Sequence, residues 1–244
     1  MFVFLSVLAS LAFLFAQFGA SNATYDRASI ILVPGAFHQP IIYDKVTRLL
    51  NDAGYRSIHA IALPSVGTVN NSRDPDINAV RSVLESELAN GKDVLLVGHS
   101  YGATIIGEAV KGLQSDSTQS STLLKRFSLF WDGDLADAPP QLIFYNDLST
   151  QQANFWVNKL LFSDFAALSA HATYIPYTGD FKCVYVMTAL DNALPPIWQQ
   201  TWIDQPGALF QVEYVNASHS SMLSKPKEVA EIIRKAAGEH NVKG

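Results

Sequence analysis

The chain of 244 residues is poor in cysteine and in charged residues. Cys183 is its single cysteine, so no disulfide can form within the chain, and its position in the apolar run 183–187 favours a buried thiol. The 17 basic residues form no run, and with 22 acidic residues they give a formal net charge of −5. This mild acidity argues against nucleic acid as a partner. Internal repeats are also missing, which argues against a repeat architecture.

The N-terminal stretch contains no charged side chain before Asp26, and residues 2–18 are almost wholly apolar. The small residues Ser21, Asn22 and Ala23 follow, at the positions that a signal peptidase reads. We therefore predict a cleaved signal peptide at residues 1–23 and a secreted protein without stable membrane association after cleavage. An uncleaved N-terminal anchor is the alternative, because the basic start typical of signal peptides is reduced to the α-amino group.

The rest of the chain, residues 24–244, alternates between apolar strand patterns and amphipathic helix patterns. Strands are predicted at 28–33, 55–63, 94–97, 127–131, 181–188 and 209–215, and helices at 40–50, 76–88, 195–204 and 226–237, with one more helix after residue 102. This order predicts one α/β domain with a doubly wound, mostly parallel sheet. Its core segments are 28–132 and 181–240.

Residues 133–180 interrupt the alternation with several short helical patterns that are rich in aromatic side chains. An insertion between two strands at this point would form a helical lid over that edge of the sheet. The alternative is a set of ordinary core helices, since aromatic residues at helical spacing are usually core. The sequence predicts the place of the lid but not its contacts.

The strongest motif is Gly98-His-Ser-Tyr-Gly102, which follows the apolar strand at 94–97 and precedes a helical pattern. Gly-x-Ser-x-Gly between a strand and a helix is typical of a nucleophile elbow. The turn strains the serine backbone, and glycines fit around it because they lack a Cβ. We therefore predict Ser100 as a nucleophile at the N-terminus of a helix.

A serine hydroxyl needs a base within hydrogen-bond reach. In folds with this elbow the chain order is nucleophile, acid, histidine, and this order selects His219 in the loop after the last predicted strand. The other histidines lie in less suitable places: His38, His59, His99, His171 and His240. The acid must follow a strand and precede His219, which favours Asp191. Asp132, after the strand at 127–131, is its competitor.

The oxyanion hole requires two backbone N–H groups that point at the developing negative charge. Tyr101 follows the nucleophile at the helix N-terminus and is the first predicted donor. The second should come from the loop after the first strand, where Gly35 lets the backbone approach closely. Ala36 is the predicted donor in that loop, and Phe37 is the next choice.

Four motifs together resemble the α/β-hydrolase superfamily, and more narrowly its small methylesterase and hydroxynitrile lyase-like branch. They are Val33-Pro-Gly-Ala-Phe-His38, Gly98-His-Ser-Tyr-Gly102, Leu190-Asp-Asn-Ala-Leu-Pro195 and Ala217-Ser-His-Ser-Ser-Met-Leu-Ser-Lys-Pro226. The resemblance covers essentially the whole chain after the signal. It implies a triad of Ser100, Asp191 and His219, with Ala36 and Tyr101 as oxyanion donors.

We expect a serine carboxylic ester hydrolase that forms an acyl-enzyme on a small hydrophobic or aromatic ester, with no metal or cofactor. Phe37, His38, Trp131 and Tyr145 are the expected substrate contacts. One alternative is a lyase or cyclase of the same fold that acts on a natural-product intermediate and uses the triad for proton transfer. Another is a binding protein or receptor that retains the triad. The sequence defines no oligomeric state.

Two sequons, at Asn70 and Asn216, agree with secretion, although such tripeptides often arise by chance. A glycan is expected at Asn70, because this residue lies in a polar loop. It is less expected at Asn216, because a glycan there would crowd His219.

Overall fold

The structure, a computed structural model, describes residues 27–69, 72–113, 138–239 and 242. Several predicted features lie outside this part of the chain. They are the signal peptide at 1–23, Asn70, the strand at 127–131 with Trp131, Asp132, the first residues of the lid, and His240.

The strands of the described residues form parallel pairs. They are β1 Ser29–Val33, β2 Ile58–Ala60, β3 Val94–Gly98, β4 Cys183–Thr188 and β5 Phe210–Val215. One sheet has the order β2-β1-β3, and β4 pairs with β5 in the other. Parallel pairing brings the carboxyl ends of neighbouring strands together. Val33 lies beside Gly98, and Thr188 lies beside Val215, so the loops that follow these strands start from shared edges.

The helices lie close to their predicted positions. They are α1 Asp44–Asp52, α2 Asp74–Ala89, α3 Tyr101–Ala109, α4 Pro140–Phe144, α5 Thr150–Val157, α6 Phe165–Ser169, α7 Pro196–Ile203, α8 Ser221–Ser224 and α9 Pro226–Ala236, with 3₁₀ turns at Pro40–Tyr43 and Pro176–Thr178. The predicted helix at 40–50 thus begins as a 3₁₀ turn, while α8 was not predicted and lies between the predicted strand at 209–215 and the predicted helix at 226–237. Within the described residues, no helix is long and apolar enough to span a membrane.

Strand β1 is buried along its whole length, which explains why its sequence is apolar without alternation. Ile30 and Leu32 face a cluster that includes residues of α1 and α9. Ile31 and Val33 face a second cluster that includes residues of α2 and α3. Helices therefore cover both faces of the strand, as the doubly wound pattern predicts.

The described part of the predicted lid, residues 138–180, contains α4, α5, α6 and the second 3₁₀ turn. Arg73 anchors it by donating hydrogen bonds to the carbonyls of Ala167 (3.1 Å) and Ala170 (2.5 Å) at the end of α6. Glu108 in α3 accepts a second set of bonds, among them one from Thr173 Oγ1 at 2.7 Å. Two charged side chains of the core thus hold this segment.

The aromatic side chains of the 138–180 segment range from buried to exposed. Phe144 and Tyr145 are buried, and both belong to the core cluster around β1. Phe155, Phe162 and Phe165 are more than half exposed. The expectation of ordinary core side chains therefore describes Phe144 and Tyr145 but not the exposed phenylalanines.

Candidate active site

Ser100 lies in a strained turn between β3 and α3, with φ 52° and ψ −121°, and its side chain is exposed. The two flanking glycines are required by close backbone contacts. A Cβ on Gly98 would lie 2.5 Å from Ala103 Cα, and one on Gly102 would lie 2.4 Å from the carbonyl oxygen of Val33. The turn is therefore the strained elbow that the motif predicts, and it holds the hydroxyl at the start of α3.

The structure brings together His219, in the loop after β5, and Asp191, in the loop after β4. His219 Nδ1 lies 2.9 Å from Asp191 Oδ2 and 3.1 Å from Oδ1, and both side chains are buried. Asp191 also accepts hydrogen bonds from Thr188 Oγ1 (2.9 Å) and Leu194 N (2.7 Å). Because a carboxylate only accepts, the proton of the neutral imidazole is on Nδ1, and Nε2 is left as the basic nitrogen.

The two amides predicted as oxyanion donors are available. Among the described residues, the N–H groups of Ala36 and Tyr101 donate no hydrogen bond. Phe37, the other option in the first loop, donates its N–H to Ser163 Oγ at 2.7 Å. The structure thus favours Ala36 over Phe37 as the second donor. Tyr101 is the first residue of α3, where backbone N–H groups have no partner within the helix.

His38 and Tyr145, two of the expected substrate contacts, are buried and bonded to each other. His38 Nδ1 donates to the carbonyl of Ala36 at 2.7 Å, so its Nε2 accepts the hydroxyl of Tyr145 at 2.8 Å. Burial lowers the pKa of His38 to about 4 and keeps the ring neutral. The polar atoms of this pair are engaged within the protein, which leaves their rings for apolar contact.

The remaining histidines have different surroundings. His99, inside the elbow, is half-buried, and its Nε2 lies 3.0 Å from the carbonyl oxygen of His219. His59 lies in β2 and bonds to Ser57. His171 is exposed. Within the described residues, no group of three or more His, Cys, Asp or Glu side chains is placed to hold a metal ion.

Two residues that the sequence did not mark hold the histidine loop, residues 216–220. The carbonyl of Phe144 accepts hydrogen bonds from Ser218 Oγ and Ser220 N, both at 3.2 Å. Asp147 Oδ2 accepts the N–H of Ser218 at 2.9 Å. The ring of Phe144 also lies 5.6 Å from that of His219. A helical aromatic pattern was visible around Phe144, but a local pattern does not indicate which distant loop it contacts.

The model of the Alpha/beta hydrolase family matches residues 30–232, a span that contains the elbow, Asp191 and His219. Alpha/beta hydrolase nvfD of Aspergillus novofumigatus (strain IBT 16806) is 26% identical over an alignment that is 246 residues long. The alignment covers 87% of this chain and 98% of the relative. Norfluorocurarine synthase 2 of Strychnos sp is 27% identical over 261 residues, with coverages of 87% and 96%. A solved structure of the methylesterase protein MES16 from Arabidopsis has a TM-score of 0.67 at 21% identity, covering 86% of this chain and 99% of its own.

The chain belongs to the α/β-hydrolase family, and its doubly wound, mostly parallel fold is confirmed. Its fold is similar to that of a methylesterase, in agreement with the branch that its motifs resemble. It is thus an enzyme of the hydrolase fold.

Proposed function

We propose that the protein is a serine carboxylic ester hydrolase with Ser100, Asp191 and His219 as its triad. The observation that carries this proposal is the buried pair of His219 and Asp191, with Nδ1 and Oδ2 2.9 Å apart, in a chain with a strained serine at Ser100. The available amides of Ala36 and Tyr101 support it further, because acyl transfer requires donors for the developing oxyanion.

In the proposed reaction, Ser100 Oγ attacks the carbonyl carbon of the ester while His219 Nε2 takes its proton. The amides of Ala36 and Tyr101 stabilise the negative oxygen of the tetrahedral intermediate. Collapse of the intermediate breaks the bond to the alkoxy group, which leaves as an alcohol with the proton from His219. A water molecule then attacks the acyl-enzyme with the same base, and the carboxylic acid leaves as the Ser100 hydroxyl re-forms.

The substrate that we propose is a small hydrophobic or aromatic ester. Apolar rings lie near the base: Phe144 is 5.6 Å from the His219 ring, and Phe37 is 6.2 Å from Phe144. The buried rings of His38 and Tyr145 pack against Phe144, at 5.3 and 5.9 Å between centroids, and their polar atoms are bonded to each other. Aromatic side chains of this kind favour apolar ligands through burial and ring stacking.

A panel of p-nitrophenyl and methyl esters tests the activity. We expect turnover by the wild-type protein, and an adduct on Ser100 in the mass spectrum after treatment with an organophosphate. Ser100→Ala should lose nearly all kcat and keep only the contribution of the oxyanion hole and of binding, about 10³-fold over water. A labelled protein that hydrolyses no ester in a broad panel would show that the hydrolase proposal is wrong.

The second candidate is a lyase or cyclase of the same fold, and it is favoured by the relative named Norfluorocurarine synthase 2. In that reading Ser100 and His219 mainly move protons, so Ser100→Ala keeps substantial activity on the true substrate. Such chemistry would use His38 and Tyr101 as extra acids or hydrogen-bond donors, but both side chains are engaged within the protein. The hydroxyl of Tyr101 donates to Asp76 at 2.7 Å, and the basic nitrogen of His38 accepts a bond within the protein.

A further inference from the structure

His99 connects the two halves of the proposed proton relay. It directly precedes Ser100 in the chain, and its Nε2 lies 3.0 Å from the carbonyl oxygen of His219. A carbonyl only accepts, so His99 Nε2 carries the hydrogen and donates it. The two imidazole rings lie 4.6 Å apart between centroids. The residue before the nucleophile is thus bonded to the main chain of the base.

The other side of the His99 ring meets no polar partner among the described residues. Its Nδ1 is buried and makes no hydrogen bond in the described part of the chain. Gly35 packs against it so closely that a Cβ there would lie 2.9 Å from Nδ1. A proton on Nδ1 would have no acceptor. Burial, together with His219 and His38, holds the pKa of His99 well below its usual value.

We propose that His99 is a positioning residue, which holds the carbonyl of His219 so that the histidine loop keeps a set distance from the nucleophile elbow. The 138–180 segment holds the same loop from another direction, through Asp147 and Phe144. Loss of those contacts would leave the elbow link intact, whereas loss of His99 frees the loop from Ser100. The proposal rests on the proposed function, because it requires proton transfer between Ser100 and His219.

Proton transfer is sensitive to this link because it requires heavy atoms within hydrogen-bond reach. A misplacement of about 1 Å can reduce a rate about 100-fold. A neutral His99 suits the role, because a fixed N–H donor keeps its bond while His219 gains and loses its proton. A charged imidazole in this position would instead repel the imidazolium of His219.

The rate of Ser100 labelling by diethyl 4-nitrophenyl phosphate tests the proposal without knowledge of the substrate. Ser100 Oγ attacks phosphorus, His219 takes the proton, and 4-nitrophenolate leaves and is measured by absorbance. We expect His99→Leu to lower the maximal labelling rate about 10- to 100-fold, with little change in the reagent concentration that gives half of that rate. His99→Gln keeps an N–H donor near the same position and should stay within about threefold of wild type.

His59→Leu is the matched control and should leave labelling unchanged, because it removes a histidine of β2 whose partners are Ser57 and Glu87. Wild-type labelling with an equally fast His99→Leu variant would overturn the inference and leave the proposed function standing. Equal losses in His99→Leu and His99→Gln would also overturn it, because the shape of the ring would then matter and not the bond. If wild type is not labelled at all, the proposed function fails and the inference fails with it.

A measurement on the wild-type protein covers the case in which His99→Leu does not fold. Nitrogen-15 NMR distinguishes the two neutral forms of an imidazole. We expect His99 at neutral pH to carry hydrogen on Nε2 and none on Nδ1. Hydrogen on Nδ1, alone or on both nitrogens, would contradict the proposed donor.

Discussion

Asp191 has a precise task in the proposed triad, because its carboxylate must accept the Nδ1–H of His219. Its two oxygens also accept bonds from Thr188 and from the N–H of Leu194. An asparagine at this position would place its own N–H donors against groups that also donate. It would thereby favour the imidazole tautomer of His219 that has no hydrogen on Nδ1, which is the wrong one for the triad. The environment of this carboxylate therefore defines which nitrogen of His219 is the base.

Asp191→Asn should lower kcat by a factor of about 10⁴, since the loss of the correct tautomer has an effect of this size in serine triads. The measurement is steady-state hydrolysis of the best ester in the panel. Asp132→Asn is the comparison and should reduce kcat much less. The opposite ranking would move the acid to Asp132.

Two glycines of α3 differ in whether the structure leaves room for a Cβ, so alanine substitutions at them distinguish a steric effect from a change in helix propensity. A Cβ on Gly102 would collide with the carbonyl oxygens of Val33 and Pro34, at 2.4 and 2.5 Å. A Cβ on Gly107 would meet Pro176 Cδ at 3.4 Å, which is close to ordinary contact.

Gly102→Ala should lower the free energy of unfolding by about 3 kcal/mol, because neither backbone oxygen can move without breaking the elbow. Gly107→Ala should change it little or raise it by up to about 1 kcal/mol, because alanine is the better helix former. Urea unfolding at neutral pH measures both values. Equal effects would mean that the contact with β1 does not constrain the elbow.

At the level of elements, α9 is tied to the chain just before β1 through Glu239. This carboxylate accepts hydrogen bonds from Arg234 in α9 (2.7 and 2.9 Å) and from Arg27 (2.7 Å). The bond with Arg234 is the main cause that lowers the pKa of Glu239 to about 2, and the bond with Arg27 adds to it. Because the pKa is lower in the folded state, this stabilisation is complete above the unfolded-state pKa and is lost as the pH falls towards 2.

Glu239→Gln should therefore be less stable than wild type at pH 7, and the difference should shrink as the pH falls from about 4 towards 2. The measurement is urea unfolding of both proteins at several pH values. Glu85→Gln is the control, because Glu85 forms an exposed pair with Arg81 within one helix and should contribute little. A difference between Glu239→Gln and wild type that does not depend on pH would argue against the ion pair.

The elements that the sequence predicts best are those with a local cause. Strand β3 and helix α3 follow from a short motif, and β1 from an apolar run. Strand β2 is shorter than predicted, Ile58–Ala60 against 55–63. The prediction was too long because Ile61 and Leu63 are apolar and buried, although they follow the end of the paired strand. Helix α8 was missed because its serine-rich sequence resembles a loop, although Met222 and Leu223 are buried.

The contacts around the candidate site show where local patterns stop being informative. Ser100, Asp191 and His219 were selected from motifs and chain order, and the structure pairs the last two. His99 meets the His219 carbonyl across 120 positions of sequence, and Asp147 meets Ser218 across 71. Neither pairing has a local signal, because neither belongs to a motif that indicates which distant segment it contacts.

At the scale of the whole molecule, the proposed secretion depends on residues outside the described part of the chain. Protein collected from the medium should begin at or near Thr24, because cleavage is proposed after Ala23. N-terminal sequencing or intact mass measures this directly. A membrane-bound protein that retains Met1 would instead indicate an uncleaved anchor.

Glycosylation gives an independent sign of secretion. A glycosidase-sensitive mass shift that Asn70→Gln abolishes would support passage through the secretory route. Asn216 is exposed, while Ser218 of the same sequon is buried and bonded to Phe144. Asn216→Gln is therefore the comparison and should leave the shift in place.

The bond between Arg27 and Glu239 also determines where attachments can be made. Arg27 lies two residues before β1 and so towards the amino edge of its sheet, whereas the elbow follows the carboxyl end of β3. Chain added before Arg27 or after Glu239 thus starts from one place on the surface, across the sheet from Ser100. A carrier domain, a surface tether, or a short peptide joining Glu239 to Arg27 in a circular permutant would therefore lie at the opposite edge of the sheet from Ser100.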